Sequence, residues 1–463
     1  MLRGIARLAA RWYYRGVEIE GAARIPATGP VLLLVNHPNE LMDAIFAGLV
    51  APRQLTFTGK ATLFANPILG AFLRHMRVVP LRRVQDERPA AADGVATSVT
   101  DAARNADAFA AIHASLHAGQ MVLIFPEGRS WDEPRLAPIK TGAARIALSA
   151  MRAGVRGIVV VPMGINYLGK QNVRSRVLVE IGQPIAIDAL THEHADVDVL
   201  TREIAGRLHA VTLNFDDDRD ASEALDLATV LAATTDAIRP LDDPDSPIAA
   251  KVNVARRADA LRELLERGAL SADVEKRVIH IQRRLLGLRR TATKLGIRLD
   301  DVTLDTRLPA AGRFVVRELL LSAFGIPLAT WGRINHFIPF ALTRWLGART
   351  ATAQSNRAMN TVVLGLVLIP CFYLLQTTVV WQFFGWRWAA LYAGALIPSG
   401  SWDLRYTERL RRLRMRALAW RHFREDPGLQ AKLRHELFAL RDEAAQIAAA
   451  FAPSGRGATP PRA

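Results

Sequence analysis

Between Arg357 and Arg387 the chain carries no charged side chain: Ala358 to Trp386 is an uncharged run of 29 residues. About 20 helical residues cross the hydrocarbon of a bilayer, so this run can span one with room to spare. Trp381, Phe383, Phe384, Trp386 and Trp388 crowd around Arg387, the pattern of an aromatic belt at a membrane interface. Trp388 to Trp402 returns as a second, shorter apolar run, so residues 358–402 are expected to form a transmembrane helical hairpin turning near Gly385. Arg344, Arg349 and Arg357 precede it, Arg405, Arg409, Arg411, Arg412, Arg414 and Arg416 follow it, and Arg387 alone marks the turn. That asymmetry predicts an inner (cytoplasmic) membrane protein with both flanks in the cytoplasm. The basic stretch 405–416 is also expected to attract anionic headgroups of membrane lipids.

The flanking segments divide by composition. Within residues 310–346, Leu319 to Gly332 carries no charge, Arg333 interrupts and Ile334 to Thr343 resumes; each piece is too short to span, and Pro327 and Pro339 break it further, which predicts an interfacial or re-entrant segment rather than two spans. Residues 403–451 read as a basic helical tail, and 452–463, rich in Pro, Gly and Arg, as disordered. Residues 213–309 carry Arg and Glu at helical spacing and read as a helical accessory region. At the other end, Arg3, Arg7, Arg11 and Arg15 recur every four residues among Leu2, Ile5, Leu8, Trp12 and Tyr13. Residues 1–17 are therefore expected to form a basic amphipathic helix suited to a membrane interface. The arginines break up the apolar core that a signal peptide needs.

Residues 18–212 alternate strand and helix patterns. The candidate strands are 31–35, 54–58, 121–125, 158–162 and 176–181, and the clearest helices are 98–118 and 141–153. Such alternation predicts a layered α/β domain on a mostly parallel sheet. With 463 residues and half of them hydrophobic, the chain has material for two or three domains. Lys and Arg outnumber Asp and Glu by 60 to 44, a net charge of +16, which points to an anionic partner. Cys371 is the sole cysteine, so an intramolecular disulfide is excluded, as is a cysteine-based metal site.

Four polar stretches follow strand candidates. In Asn36-His37-Pro38-Asn39-Glu40-Leu41-Met42-Asp43, Pro38 disfavours helix at His37, and the apolar residues from Leu41 to Val50 fit a helix with one buried face. His37 thus sits where strand gives way to helix, and Asp43 can fold back to its ring. A carboxylate on one ring nitrogen leaves the other as a base. Val79-Pro80-Leu81-Arg82-Arg83 offers arginines for a phosphate, and Phe125-Pro126-Glu127-Gly128-Arg129-Ser130 offers a glycine that lets backbone approach a ligand. Val161-Pro162 ends another apolar strand.

The order and spacing of these blocks resemble the glycerophospholipid acyltransferase superfamily, the PlsC-like enzymes, over roughly residues 1–212. The resemblance rests on Asn36, His37 and Asp43, on Val79 to Arg83, on the unbroken Phe125 to Ser130 and on Val161-Pro162. Arg24 to Pro30 and Gly59 to Phe64 fit the same frame. Five residues, Pro38 to Met42, separate His37 from Asp43 where most of the superfamily has four. That longer spacer resembles the glycerol-3-phosphate and dihydroxyacetone-phosphate acyltransferase branch.

The resemblance implies that His37 is the general base and that Asp43 orients it, with no acyl-enzyme. It implies that Arg83, Glu127, Gly128 and Arg129 bind the acceptor, with Lys60 a further phosphate candidate. Acyl-CoA or acyl carrier protein would be the donor, and a glycerol phosphate, foremost glycerol 3-phosphate, the acceptor. It calls for no metal and no cofactor. The alternatives are a lysophosphatidate acyltransferase and a non-catalytic lipid-binding or membrane-tethering protein. A Gly-x-Ser-x-Gly elbow is absent, which argues against a serine hydrolase of that type. Nucleic acid is not expected as a partner, because the arginines cluster beside apolar segments and no nucleic-acid-binding signature occurs. His113 and His117, His192-Glu193-His194 and Asp216-Asp217-Asp218 read as solvated groups rather than metal sites.

Overall fold

A computed structural model describes residues 2–65, 67–81, 105–170, 174–190, 196–217, 271–303, 308–350 and 354–451, with short pieces between 220 and 256. The chain divides into two compact units, Met1–Asp218 with Phe337–Ala393, and Arg219–His336 with Gly394–Ala463.

The first unit is built on β2 (Val31–Val35), whose five residues are all fully buried. It lies between two parallel neighbours, β6 (Met121–Ile124) and β7 (Val159–Tyr167). A strand covered on both faces has no polar side to show, hence the continuous apolar run. The period of two still sorts its residues. Val31, Leu33 and Val35 face a core with Met42 and Phe46 of α2 (Leu41–Val50) and with Tyr13 and Tyr14 at the end of α1 (Leu2–Tyr13). Leu32 and Leu34 face Ile112 and Leu116 of α4 (Ala106–His117), Ala147 of α5 (Gly142–Arg152) and Ile204 of α6 (Val197–His209). The sheet order is β1-β8-β7-β2-β6-β3, with β1 (Gly16–Glu20), β3 (Leu55–Thr56) and β8 (Arg176–Ile181); β9 (Ile185–Ala186) pairs with β7. A separate parallel pair joins β4 (Thr58–Lys60) to β5 (Val79–Leu81). The helix α3 (Pro67–His75) lies between them in the chain.

Several expectations are corrected. The N-terminal helix stops at Tyr13 instead of continuing to residue 17, because residues 16–20 pair with β8 as an edge strand. Its inner face is also part of the domain: Ala10, Tyr13 and Tyr14 are buried. The strand expected over 54–58 is split between the two sheets. The helix read over 98–118 is described only from Ala106. The strand expected to stop at Pro162 runs on to Tyr167 and pairs antiparallel with β8. Val159 donates its N–H to Pro30 on the β2 side, so alternation turns position 162 to the other edge. There β9 pairs only up to Val160 and β8 begins at Met163, so the proline's missing N–H falls in a gap.

The expected break of 310–346 is also absent. Leu308–Thr350 is one 43-residue helix, α8, which passes through Pro327 and Pro339. A proline removes one i→i−4 bond and bends a long helix without ending it when the flanking turns hold. After it come α9 (Gln354–Phe384) and α10 (Trp386–Glu425), separated by Gly385 at φ +82°. Within α9, Met359–Phe384 is long and apolar enough to cross a membrane, and only 11% of its apolar stretch is buried in protein. Among the described residues, the stretch is mostly left uncovered by protein. Its root belongs to the first unit, where Val362 joins the core of Tyr13, Phe46 and Val161.

In the second unit, α7 (Ala272–Leu295) packs on α11 (Pro427–Phe451) through Ile281, Leu285, Leu437 and Leu440, and Arg284 bridges Glu436 at 2.7 Å and Glu443 at 3.1 Å. The N-terminal part of α8 meets α10 where Gly332 lies against the Ser399 backbone and Arg333 grips Asp403 at 2.9 Å.

Gly164 in β7 faces the carbonyl of Val211, and a Cβ there would lie 2.0 Å from that oxygen. The approach is fixed by Asn166, which donates to Val211 O and accepts from the N–H of Leu213. Gly164→Ala is expected to lower unfolding stability by about 1–3 kcal/mol, the usual cost of overpacking, read as a reduced urea midpoint; an unchanged midpoint would contradict this close approach.

Candidate active site

Beyond Val35 the chain leaves the sheet, and side chains take over the pairing. Asn36 accepts from the N–H of Ile165 at 2.7 Å and donates to its carbonyl at 3.2 Å, so its amide continues the β2–β7 ladder by one residue. The next residue is His37. Its N–H donates to Glu127 Oε1 at 2.6 Å, and its carbonyl accepts from the N–H of Trp131 at 3.0 Å. Its ring stacks on Phe125, with centroids 3.8 Å apart and planes 12° from parallel. Backbone and ring are thus both held.

Helix α2 begins at Leu41, so Pro38 lies in the loop rather than in the helix's first turn. Glu40 takes a φ of +42°, a conformation that favours glycine, to swing the chain into the helix. The swing brings Asp43, in the first turn, back beneath the imidazole. Nδ1 of His37 lies 2.9 Å from Asp43 Oδ2. A carboxylate only accepts, so in the neutral ring Nδ1 carries the proton and Nε2 the lone pair. Asp43 is fully buried, and its other partners are the N–H of Asn39 on Oδ2 at 2.7 Å and the Tyr167 hydroxyl on Oδ1 at 2.6 Å. Burial, with the Asp43 charge behind it, keeps the Tyr167 hydroxyl protonated well above the usual tyrosine range. Tyr14 is raised the same way by burial, and its hydroxyl accepts from the Asn39 amide at 3.1 Å.

The loop after β6 carries the other candidates. Glu127 is buried, and burial raises its carboxyl above the usual range, against the N–H donors of His37 and Ala137 that favour the charged form. Oε2 accepts from Ala137 at 3.0 Å. Expected as a group for substrate hydroxyls, Glu127 spends both oxygens on backbone and ties the histidine loop to its own. Gly128 turns at φ +73°, where a Cβ would meet the Lys140 side chain at 3.0 Å, so Lys140 stands beside the turn. Arg129 is exposed, with its guanidinium 4.3 Å from the ring centre of Trp131, the residue whose amide holds His37. Lys60 ends β4, opposite Leu81, and Thr58 anchors that strand by donating to Leu123 O on β6. Arg83 lies outside the described residues, as does His192-Glu193-His194. His113 pairs with the Ser149 hydroxyl at 2.9 Å.

Sequence reasoning missed Tyr167, Trp131 and the role of Asn39. Tyr167 was discoverable: counting by twos from Val161 puts it on the face of Met42 and Phe46, provided the strand is carried past Pro162.

Residues 16–166 match the family model described as Acyltransferase. Over these residues the α/β unit is similar to an acyltransferase domain. Glycerol-3-phosphate O-acyltransferase 2 of Saccharomyces cerevisiae is 31% identical over 58% of this chain and 37% of its own length. The chloroplastic 1-acyl-sn-glycerol-3-phosphate acyltransferase LPAT1 of Arabidopsis thaliana is 27% identical over 33% of this chain and 37% of its own. The chain spans little more than a third of the length of either relative. A crystal structure of the 1-acyl-sn-glycerophosphate acyltransferase PlsC from Thermotoga maritima aligns at 18% identity and a TM-score of 0.33, over 45% of this chain and 78% of that one.

This unit relies on both carboxyl oxygens of Glu127 as acceptors for backbone N–H groups. Glu127→Gln turns an amide NH2 toward one of the two backbone donors. The expected cost is about 1–3 kcal/mol of unfolding free energy in urea, that of one buried donor left unpaired; wild-type stability in the variant would show that the two N–H groups do not depend on the carboxylate.

Proposed function

We propose that this protein transfers an acyl group from a thioester donor, acyl-CoA or acyl carrier protein, to a hydroxyl of a glycerol phosphate, foremost glycerol 3-phosphate. The observation that carries the reading is the His37–Asp43 pair at 2.9 Å, buried and held by three donors on Asp43. The relatives' names supply the substrate class, and the five-residue spacer Pro38 to Met42 favours glycerol 3-phosphate over lysophosphatidate as acceptor.

The steps follow from the geometry. An alcohol is a weak nucleophile until a base removes its proton, and the free Nε2 of His37 is that base. The alkoxide oxygen forms a bond to the thioester carbonyl carbon while Asp43 balances the imidazolium charge. The tetrahedral intermediate then breaks its C–S bond, and the thiolate leaves with the proton from Nε2. The chain itself forms no covalent bond to the acyl group. Arg129 and Lys60, with Arg83, hold the acceptor's phosphate, arginine as a bidentate fork and lysine as a point charge. Gly128 gives the acceptor access to the turn.

The helices on this face suit a lipid-forming reaction. Asp43, Tyr14 and Tyr167 lie on the sheet face covered by α1, α2 and the root of α9, so the base sits beside the apolar helix. Trp12 of α1 meets Phe340 edge to face at 5.4 Å. On this reading α9 spans the membrane, the acyltransferase domain faces the cytoplasm, and exposed Arg3, Arg7 and Arg11 of α1 meet anionic headgroups.

The test is acyl transfer by detergent-purified protein with labelled acyl-CoA or acyl carrier protein and each acceptor offered separately. Product from glycerol 3-phosphate or dihydroxyacetone phosphate is expected, with His37→Ala lowering kcat about 10²–10⁴-fold while the protein stays folded. Retained turnover in His37→Ala would overturn the mechanism. Product from lysophosphatidate alone would reassign the acceptor, and no product with any pair would leave the tethering reading.

A further inference from the structure

The tyrosine behind the carboxylate lies outside every motif in the sequence. Asp43 is fully buried and must have both oxygens hydrogen-bonded to remain an ion. Oδ2 is taken by His37 Nδ1 and the Asn39 N–H; among the described residues, Oδ1 has a hydrogen bond from Tyr167 alone, at 2.6 Å. Tyr167 is the last residue of β7 and is held from three sides. Its strand pairs with β8, its ring lies 5.8 Å from that of Tyr14, and Phe46 of α2 lies 6.1 Å away. The hydroxyl is fixed by the sheet and not by the loop that carries His37.

We propose that Tyr167 is a positioning residue: it fixes the Asp43 carboxylate from the sheet and so sets the orientation and basicity of His37. A strong hydrogen bond to Oδ1 draws charge away from Oδ2 and moderates the pull of Asp43 on the imidazole proton. Removing the hydroxyl leaves a more basic carboxylate, free to turn about χ2. The protonated imidazole is then held more tightly, and His37 becomes neutral only at higher pH. A more acidic phenol donates more strongly and moves the balance the other way. Among the described residues, the ionisable groups that interact with His37 and Asp43 are Tyr14 after α1, Glu127 after β6 and Tyr167 itself. Tyr14 and Tyr167 stay neutral through the range concerned, and Glu127 is unaltered in every variant below.

The inference rests on the acyl-transfer reading for its kinetic arm only. The second arm follows carbethoxylation of His37 by diethyl pyrocarbonate, which needs a neutral imidazole, with peptide mass spectrometry from pH 5 to 8 on the full chain in detergent. The His37 side chain is 11% exposed, so the reagent can reach it. The variants are Tyr167→Phe and site-specific 3-fluorotyrosine at 167, which keeps the shape and sharpens the donor. The labelling midpoint is expected to rise by about 0.5–1 pH unit in Tyr167→Phe and to fall with fluorotyrosine. With glycerol 3-phosphate, kcat should drop about tenfold in Tyr167→Phe, with KM little changed and the acid limb of the rate profile moved upward. Midpoints that do not move in either variant would overturn the proposal, as would a raised KM at constant kcat. If Tyr167→Phe does not fold, the fluorotyrosine shift decides alone. Shifted midpoints in a protein without acyl transfer would uphold the positioning role and discard the proposed reaction.

Discussion

A single buried carboxyl group organises the α/β half of this molecule. Taking a carboxylate out of water costs several kcal/mol unless hydrogen bonds replace the lost solvent. Asp43 is wholly enclosed and recovers that cost from His37, from the Asn39 amide and from Tyr167. These donors come from the end of one strand, the loop after it and the far end of another. They converge only because β2 and β7 are neighbours in register, with Val35 beside Met163. Sheet and site are therefore one constraint: a slip of β7 against β2 would strand the carboxylate.

The same logic repeats around His37. Where the strands end, side chains stand in for the missing ladder: Asn36 bonds the Ile165 backbone, and Glu127 bonds the backbones of His37 and Ala137. The Trp131 amide closes the carbonyl side and Phe125 the ring face. A side chain held this way has little conformational freedom left to lose, the condition that the proposed reaction requires of its base. Glu40, three residues after His37, carries the backbone strain of the turn.

Much of the site could be read without coordinates. Asn-His with a following Asp, and Phe-Pro-Glu-Gly-Arg, are local patterns, and the apolar runs at 31–35 and 121–124 place them at strand ends. Strand periodicity could place Tyr167 on its face, but the hydrogen bonds of Tyr167 and Trp131 were not legible, because their partners lie 124 residues and 94 residues away along the chain. Glu127 was legible as a site residue, but its partners were not. Local pattern marks a residue as unusual, whereas its hydrogen bonds depend on which chain segment is brought past it.

The division of labour between sequence and tertiary structure follows from the range of the forces involved. Side-chain periodicity and the count of uncharged residues act over one or two turns. The sequence alone therefore determined the β2 and β6 strands, the α2 helix from Leu41 and the apolar span within α9. The tertiary structure decided what depends on neighbours. Strand β7 continues past Pro162 because its missing N–H falls between β9 and β8. The N-terminal helix gives up its last turn to an edge strand because β8 offers it a ladder. Asp43 takes two donors from its own loop, His37 and the Asn39 amide, but the third, Tyr167, lies 124 residues away, and only the folded chain brings it there.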